Sequence, residues 1–336
     1  MAGTAGQSAV AVVTGGTAGV GRAIVRELAR SGYDVGVLAR GRAGLDAATH
    51  EVRAAGRRAV AVPTDVADED AVERAADVVE RELGSVAVWI NCAFAGALAA
   101  SWDLSMREHR RITEVTYYGQ VHGCRAALSR MRPRDRGVVV NIGSAMGYRS
   151  IPLQAAYCAA KRAVEGFTES VVTELGHEGS RVAVRRVQLP AVNTPQFTWN
   201  LNRTRGNPAP LPPIYSPEVV ARAVRFVVEH PRRNTWVGVS TAGTILGQRL
   251  APKLLDRSLA RSAVPSQQTA RNTPRTGPNV VEPADDAVDA GAEGPFRDLQ
   301  RRHDVQSWMS RNRRQLLSSA GFLAGAALFS ALRRKR

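Results

Sequence analysis

Ala9-Val10-Ala11-Val12-Val13 runs directly into Thr14-Gly15-Gly16-Thr17-Ala18-Gly19-Val20-Gly21, which opens onto Arg22-Ala23-Ile24-Val25-Arg26-Glu27-Leu28-Ala29. The first run is short, apolar and β-branched, and predicts a buried strand. Ile24, Val25 and Leu28 recur at helical spacing, and predict an amphipathic helix behind the glycines. Glycine at such a turn lets the backbone approach a pyrophosphate closely, and the following helix offers free N–H groups and a positive dipole end. A tight turn that binds nothing would use glycine too, but strand, turn and helix in this order are what a dinucleotide site requires. Thr14, Gly15, Thr17, Gly19, Val20 and Gly21 are therefore candidate cofactor-binding residues.

The alternation continues along the chain. Strands are expected at 9–13, 34–38, 59–62, 86–91, 137–142, 182–189 and 236–239. Helices are expected between them at 20–31, 44–55, 69–82, 107–131, 155–178 and 217–230. Ser216-Pro217 reads as an N-cap followed by proline at the first helical position. Strict β-α alternation implies an α/β fold: a doubly wound parallel sheet of about seven strands, helices on both faces, and a crevice at the carboxyl ends of the strands.

The basic residues add a second signal. Of 46 lysines and arginines only Lys161, Lys253 and Lys335 are lysine, and Lys161 stands four positions after Tyr157. On a helix that spacing places both side chains on one face. A tyrosine titrates near pH 10, and a neighbouring ammonium favours its phenolate, drawing it toward the working range. Alone, Tyr-x-x-x-Lys is more often a surface contact. Ser144 ends the run Gly137-Val138-Val139-Val140-Asn141-Ile142-Gly143, thirteen residues before Tyr157.

Thr-Gly-x-x-x-Gly-x-Gly near the start and Tyr-x-x-x-Lys halfway along, with Ser144 at that spacing, resemble the short-chain dehydrogenase/reductase family over roughly residues 8–240. The resemblance implies a Rossmann-like fold and an oxidoreductase with Ser144, Tyr157 and Lys161 as catalytic residues. It also implies that Asp65-Val66 meet the adenine ring, that Asn91 and Ala93 (in Asn91-Cys92-Ala93) border the cofactor, and that Pro190 and Thr194 approach the nicotinamide. For reduction, Ser144 would bond the substrate carbonyl, Tyr157 would give the proton, and Lys161 would bond the ribose and lower the tyrosine pKa.

The chain departs from the family pattern at three places. Thr116 stands where the family has an asparagine that holds a water in its proton relay. Phe94 replaces a glycine after the fourth strand and reads as core filling, and Pro190-Ala191 replaces Pro-Gly. The Thr116 replacement also supports an alternative, a non-catalytic NADP-binding sensor or scaffold protein. Strand two ends Val37-Leu38-Ala39-Arg40-Gly41-Arg42, with two guanidinium groups and no acid. Arginine suits a 2′-phosphate and an acid suits a 2′-hydroxyl, so NADP(H) is expected over NAD(H), through Arg40 and Arg42. The segment 191–215 carries Phe197, Trp199, Leu201, Leu211, Ile214 and Tyr215, which suggests an apolar pocket for a lipophilic ketone or alcohol.

The formal charge of +16 comes from arginines interleaved with acids, without a basic stripe of stacking aromatics, so nucleic acid is not expected as a partner. Cys92, Cys124 and Cys158 have no metal-ligand spacing and imply a reducing, cytoplasmic setting. No metal is expected. The catalytic domain is placed at 1–260, a Pro-, Ala- and Asp-rich flexible linker at 261–300, and a helical tail at 301–336. A helix is expected at 244–259. The uncharged apolar run 315–332, between arginine clusters, suggests membrane attachment, and homo-oligomerisation follows from the family resemblance.

Overall fold

The computed structural model describes residues 8–230, 232–271 and 275–312. Seven parallel strands form its central sheet: β1 (Val10–Thr14), β2 (Asp34–Ala39), β3 (Ala59–Pro63), β4 (Val86–Asn91), β5 (Val138–Ser144), β6 (Ala183–Leu189) and β7 (Asn234–Trp236). Their order is β7-β6-β5-β4-β1-β2-β3. The chain winds outward from β1 in one direction and from β4 in the other, which leaves a crevice at the carboxyl ends of those two strands.

The longer helices are α1 (Gly19–Arg30), α2 (Arg42–Ala54), α3 (Glu69–Leu83), α4 (Met106–Thr113), α5 (Gly119–Met131), α6 (Ala155–His177), α7 (Pro217–Glu229), α8 (Val239–Leu250), α9 (Pro252–Ser266) and α10 (Val305–Arg311). They cover both sheet faces. Ala11 and Val13 of β1 pack into a core with Ile24, Leu28, Leu45 and Val224 of α1, α2 and α7. Val10 and Val12 pack into the opposite core with Val72, Val79, Cys124 and Leu175 of α3, α5 and α6. A strand buried on both faces has no polar side, so its sequence is a continuous apolar run rather than an alternation. Each such side chain contributes roughly 1.5–3 kcal/mol by leaving water. The sheet is therefore a rigid platform for the groups at its carboxyl edge.

Three departures from the expected elements have local causes. The helix expected at 107–131 is interrupted by a π-turn, Glu114–Tyr118, between α4 and α5. The last strand stops at Trp236, because Gly238 at φ 82° turns the chain and Val239 already opens α8. The expected C-terminal helix is two helices, α8 and α9, broken where Ala251 leaves helical dihedrals before Pro252.

The region read as a flexible linker lies against the domain. After α9 the chain returns along the open end of the crevice, where Val280, Ala292 and Phe296 are buried. Gln300–Arg301 adds a parallel strand beside Ile214–Tyr215. Composition misled here because few apolar anchors suffice when backbone groups supply the remaining contacts. No helix among the described residues is long and apolar enough to cross a membrane, and 315–332 lies outside them.

Candidate active site

β5 delivers Ser144 to the crevice and α6 delivers Tyr157 and Lys161 one turn apart. Ser144 caps the short turn Ala145–Gly147 by accepting from the Met146 N–H at 3.1 Å, and it lines the cleft together with Tyr157. The capping bond uses a lone pair of the hydroxyl, so its proton stays available to donate. Burial pushes the Tyr157 pKa up, and the neighbouring Ser144 hydroxyl acts in the opposite direction. Lys161 Nζ lies 5.7 Å from the Tyr157 ring centroid and donates to Ile142 O at 2.7 Å. Burial draws the Lys161 ammonium down to about 8. The three side chains thus stand together on one wall of the cleft.

Thr116 is fully buried, and its Oγ1 donates to Ala95 O and accepts from Ala95 N, both at 3.0 Å. The threonine holds the peptide just beyond β4, and the π-turn around it widens the helix at that point. Gln120, one turn further on, was not foreseen. Its Nε2 donates to Ile142 O at 3.0 Å, the same oxygen that Lys161 uses. Only the three-dimensional convergence of α5, α6 and the end of β5 reveals it.

At the other end of the cleft the glycine turn is packed to the limit. A Cβ on Gly21 would lie 2.0 Å from Gly15 O, and one on Gly15 would lie 2.8 Å from Ala93 Cα. Gly15 and Gly19 have φ of 66° and 56°, which glycine adopts without strain. Gly15, Thr17, Gly19, Val20 and Gly21 line the cleft, as do Arg40, Asp65, Val66, Ala93, Pro190 and Thr194. This bare, backbone-lined cradle at the start of α1 fits a dinucleotide pyrophosphate.

Thr14, Asn91 and Arg42 do not line it. Thr14 Oγ1 accepts from Cys92 N and Ala93 N at 3.1 and 3.3 Å, tying β1 to the end of β4. Asn91 is consumed in the interior, with Nδ2 donating to Asn141 Oδ1 at 2.9 Å and Oδ1 accepting from Trp89 Nε1 at 2.8 Å. Asn141 continues to Thr168 Oγ1 at 2.9 Å. These two polar residues therefore build the site without facing it.

Arg40 is engaged by its own chain: Nη2 donates to Asn279 O and Oδ1 at 2.8 and 3.0 Å, and Nη1 donates to Val281 O. Burial, then Arg111, draws its pKa down, while Asp65, Asp285 and Glu282 act to hold it up. Asp65 accepts from Ala67 N at 3.0 Å and pairs with Arg111 at 2.5 Å; burial works to raise its pKa, but these partners outweigh it and lower it.

Phe94, expected as core filling, lines the cleft and meets Tyr157 edge-on with centroids 5.8 Å apart. Having no Gly-like dihedral, Ala191 sits in a short strand pairing with Ile214. Of the apolar residues in 191–215, Phe197, Trp199 and Leu211 line the cleft, whereas Ile214 and Tyr215 pack into the interior. The three cysteines are free and buried, and no cluster of metal ligands occurs among the described residues.

The short chain dehydrogenase family matches residues 9–205, more than half of the chain. The protein belongs to that family and is an oxidoreductase of CH–OH groups. It is 29% identical to the uncharacterized oxidoreductase YxnA of Bacillus subtilis (strain 168), over 97% of this chain and 91% of that protein. It is 32% identical to cis-4-hydroxycyclohexanecarboxylate dehydrogenase of Sinomonas cyclohexanicum, over 65% of this chain and 88% of the relative. Among solved structures, an alcohol dehydrogenase from the archaeon Thermococcus sibiricus, complexed with 5-hydroxy-NADP, superposes with a TM-score of 0.58 at 25% identity, covering 68% of this chain and 94% of that one.

Proposed function

We propose that this protein interconverts a carbonyl and a secondary alcohol on a lipophilic small molecule, with a nicotinamide dinucleotide as its hydride partner. The observation that carries the reading is one cleft with the Ser144–Tyr157–Lys161 group on its wall and the glycine cradle at its end. The dinucleotide complex of the archaeal alcohol dehydrogenase supports the cofactor class. The glycine turn, with Thr17 and Val20, would hold the pyrophosphate, Asp65 and Val66 the adenine, and Pro190 and Thr194 the nicotinamide. When bound, that group supplies or accepts hydride.

The chain's own residues do the rest. Ser144 donates a hydrogen bond to the carbonyl oxygen, and Tyr157 gives up its phenolic proton to that oxygen as it becomes an alcohol. Lys161, cationic below about pH 8, favours the phenolate left behind. Phe94, Phe197, Trp199 and Leu211 present an apolar wall, which supports a lipophilic substrate. The sensor alternative rested on Thr116, whose hydroxyl retains two bonds to the peptide at Ala95.

The preference for NADP(H) over NAD(H) expected from Arg40 and Arg42 is weakened by the three Arg40 N–H groups that already donate to Asn279 and Val281. Membrane contact through 315–332 is a separate proposal on sequence alone. Cell fractionation with and without 311–336 tests it, and both forms remaining soluble would overturn it. Exposed Leu246, Leu250 and Leu254 on α8 and α9 support self-association, to be read from the mass in solution.

The test of the main reading is Tyr157→Phe, assayed on a carbonyl panel with NADH and NADPH. Turnover should fall by about a hundredfold or more, with dinucleotide affinity changed less than about threefold. Turnover near wild type overturns it.

A further inference from the structure

The adenosine end of the cleft is built largely by a part of the chain more than 230 residues away from the strand it faces. Residues 279–291 cross the carboxyl end of β2 and the first turn of α2. They bring two carboxylates there: Asp286 caps the start of α2, and Asp285 packs against Gly41 and Gly44. A Cβ on Gly41 would lie 2.1 Å from Asp285 Oδ1, and a Cβ on Gly44 would lie 2.5 Å from Oδ2 and 2.7 Å from Thr17 Cβ. The carboxylate therefore sits between the glycine turn and the start of α2, and it lines the cleft.

We propose that Asp285 sets the cofactor preference, its carboxylate accepting the hydroxyls of the adenosine ribose, so that the protein selects NAD(H) over NADP(H). This rests on the dinucleotide reading above, and it reverses the preference that Arg40 and Arg42 suggest in the sequence.

Three observations carry it. Asp285 is only 6% exposed, yet neither carboxylate oxygen accepts a hydrogen bond from the described residues. Its unpartnered oxygens line the cleft, where a vicinal diol supplies two donors. The backbone donors and the Arg40 guanidinium that would receive a 2′-phosphate are also largely engaged, and the exposed Arg42 guanidinium does not line the cleft. Arg40 is tied to Asn279 and Val281, while at the α2 N-terminus Arg42 N donates to Asp286 Oδ1 at 3.0 Å, Ala43 N to Asp286 O at 3.0 Å and Gly44 N to Asp285 O at 3.1 Å. Finally, a phosphate placed here would meet the Asp285 carboxylate, and two anions in one site oppose each other. An acid at this point is the general device by which dinucleotide folds read the 2′-hydroxyl. Here it arrives from the C-terminal segment rather than from the end of β2.

The test is direct binding, by titrating the full-length protein with NADH and with NADPH and following their fluorescence. NADH should bind at least about tenfold more tightly. Asp285→Asn, which keeps the shape and removes the charge, should reduce that ratio by about tenfold to a hundredfold, the effect of one charge-assisted hydrogen bond. Asp286→Asn, at the helix cap, should leave the ratio unchanged. Should Asp285→Asn unfold, Asp285→Ser provides the same comparison, with thermal unfolding recorded for each variant. NADPH binding as tightly as NADH, or a ratio indifferent to Asp285, overturns the proposal and leaves the dinucleotide reading intact. Binding of neither nucleotide overturns both.

Discussion

Lys161 and Gln120 donate to the same acceptor, with Nζ 2.7 Å and Nε2 3.0 Å from the carbonyl oxygen of Ile142. The peptide just before Ser144 is thereby fixed from two helices, and the ammonium is anchored relative to β5. Gln120 acts through this carbonyl as a positioning residue. Gln120→Met keeps the volume and removes the donor. Its stability should stay within about 1 kcal/mol of wild type, while turnover falls and the pH profile of activity shifts. An unchanged pH profile would show that the contact is merely structural.

Burial of Lys161 predicts a pH-dependent stability of definite sign. Its pKa is about 8 in the folded chain and 10.5 ordinarily. Below pH 8 both states are protonated, and the folded state carries the whole cost of the buried ammonium. Between those values the unfolded chain holds a proton that the folded chain has released, so this contribution makes stability rise with pH. The span corresponds to on the order of 3 kcal/mol. Lys161→Met should therefore resist urea better than wild type at pH 7, with the gap closing toward pH 10.5, while activity is lost. The buried thiols of Cys92 and Cys124, pushed up to about 12, act oppositely above pH 9, so the difference between the two proteins is the quantity to follow.

Thr116→Val leaves both the N–H and the C=O of Ala95 without their side-chain partner. A loss of about 2 kcal/mol in urea denaturation is expected. Turnover should fall with it, because Phe94 stands on the same loop against Tyr157.

Gly21→Ala brings a methyl to 2.0 Å from Gly15 O, a backbone atom that cannot swing aside. No rotamer relieves it. The variant should lose more than about 2 kcal/mol of stability, and dinucleotide binding measured by fluorescence should weaken sharply. Near-normal affinity would show that the cradle is not where the dinucleotide lies.

The sheet was legible because strands buried on both faces appear as unbroken apolar runs, such as Val138-Val139-Val140, and the helices between them as 3.6-residue periods. Ser144, Tyr157 and Lys161 were legible because spacing along one strand end and one helix face carries over into space. Asn91 was misread as facing the cleft. Its partner Asn141 lies 50 residues on, and no local pattern shows that a β4 amide and a β5 amide are paired. Phe94 was taken for core because a phenyl ring alone does not reveal which wall it covers. The segment 261–300 reads as a flexible linker because its composition has few large apolar residues. Residues 279–291 are held by the Arg40 side chain and by backbone N–H groups of α1 and α2 that a linear reading cannot place opposite them.

One consequence of that returning segment concerns synthesis. Arg40 and its acceptor Val281 are 241 residues apart, and β7, the last strand of the sheet, ends at Trp236. A ribosome that has released the whole sheet still holds Asn279, Asp285 and Gly291. The emerging protein therefore passes through an interval in which its sheet is complete, while Arg40 and the first N–H groups of α2 face only water. Until the last of those residues leaves the exit tunnel, the nascent chain presents an open basic notch where the finished protein presents a carboxylate.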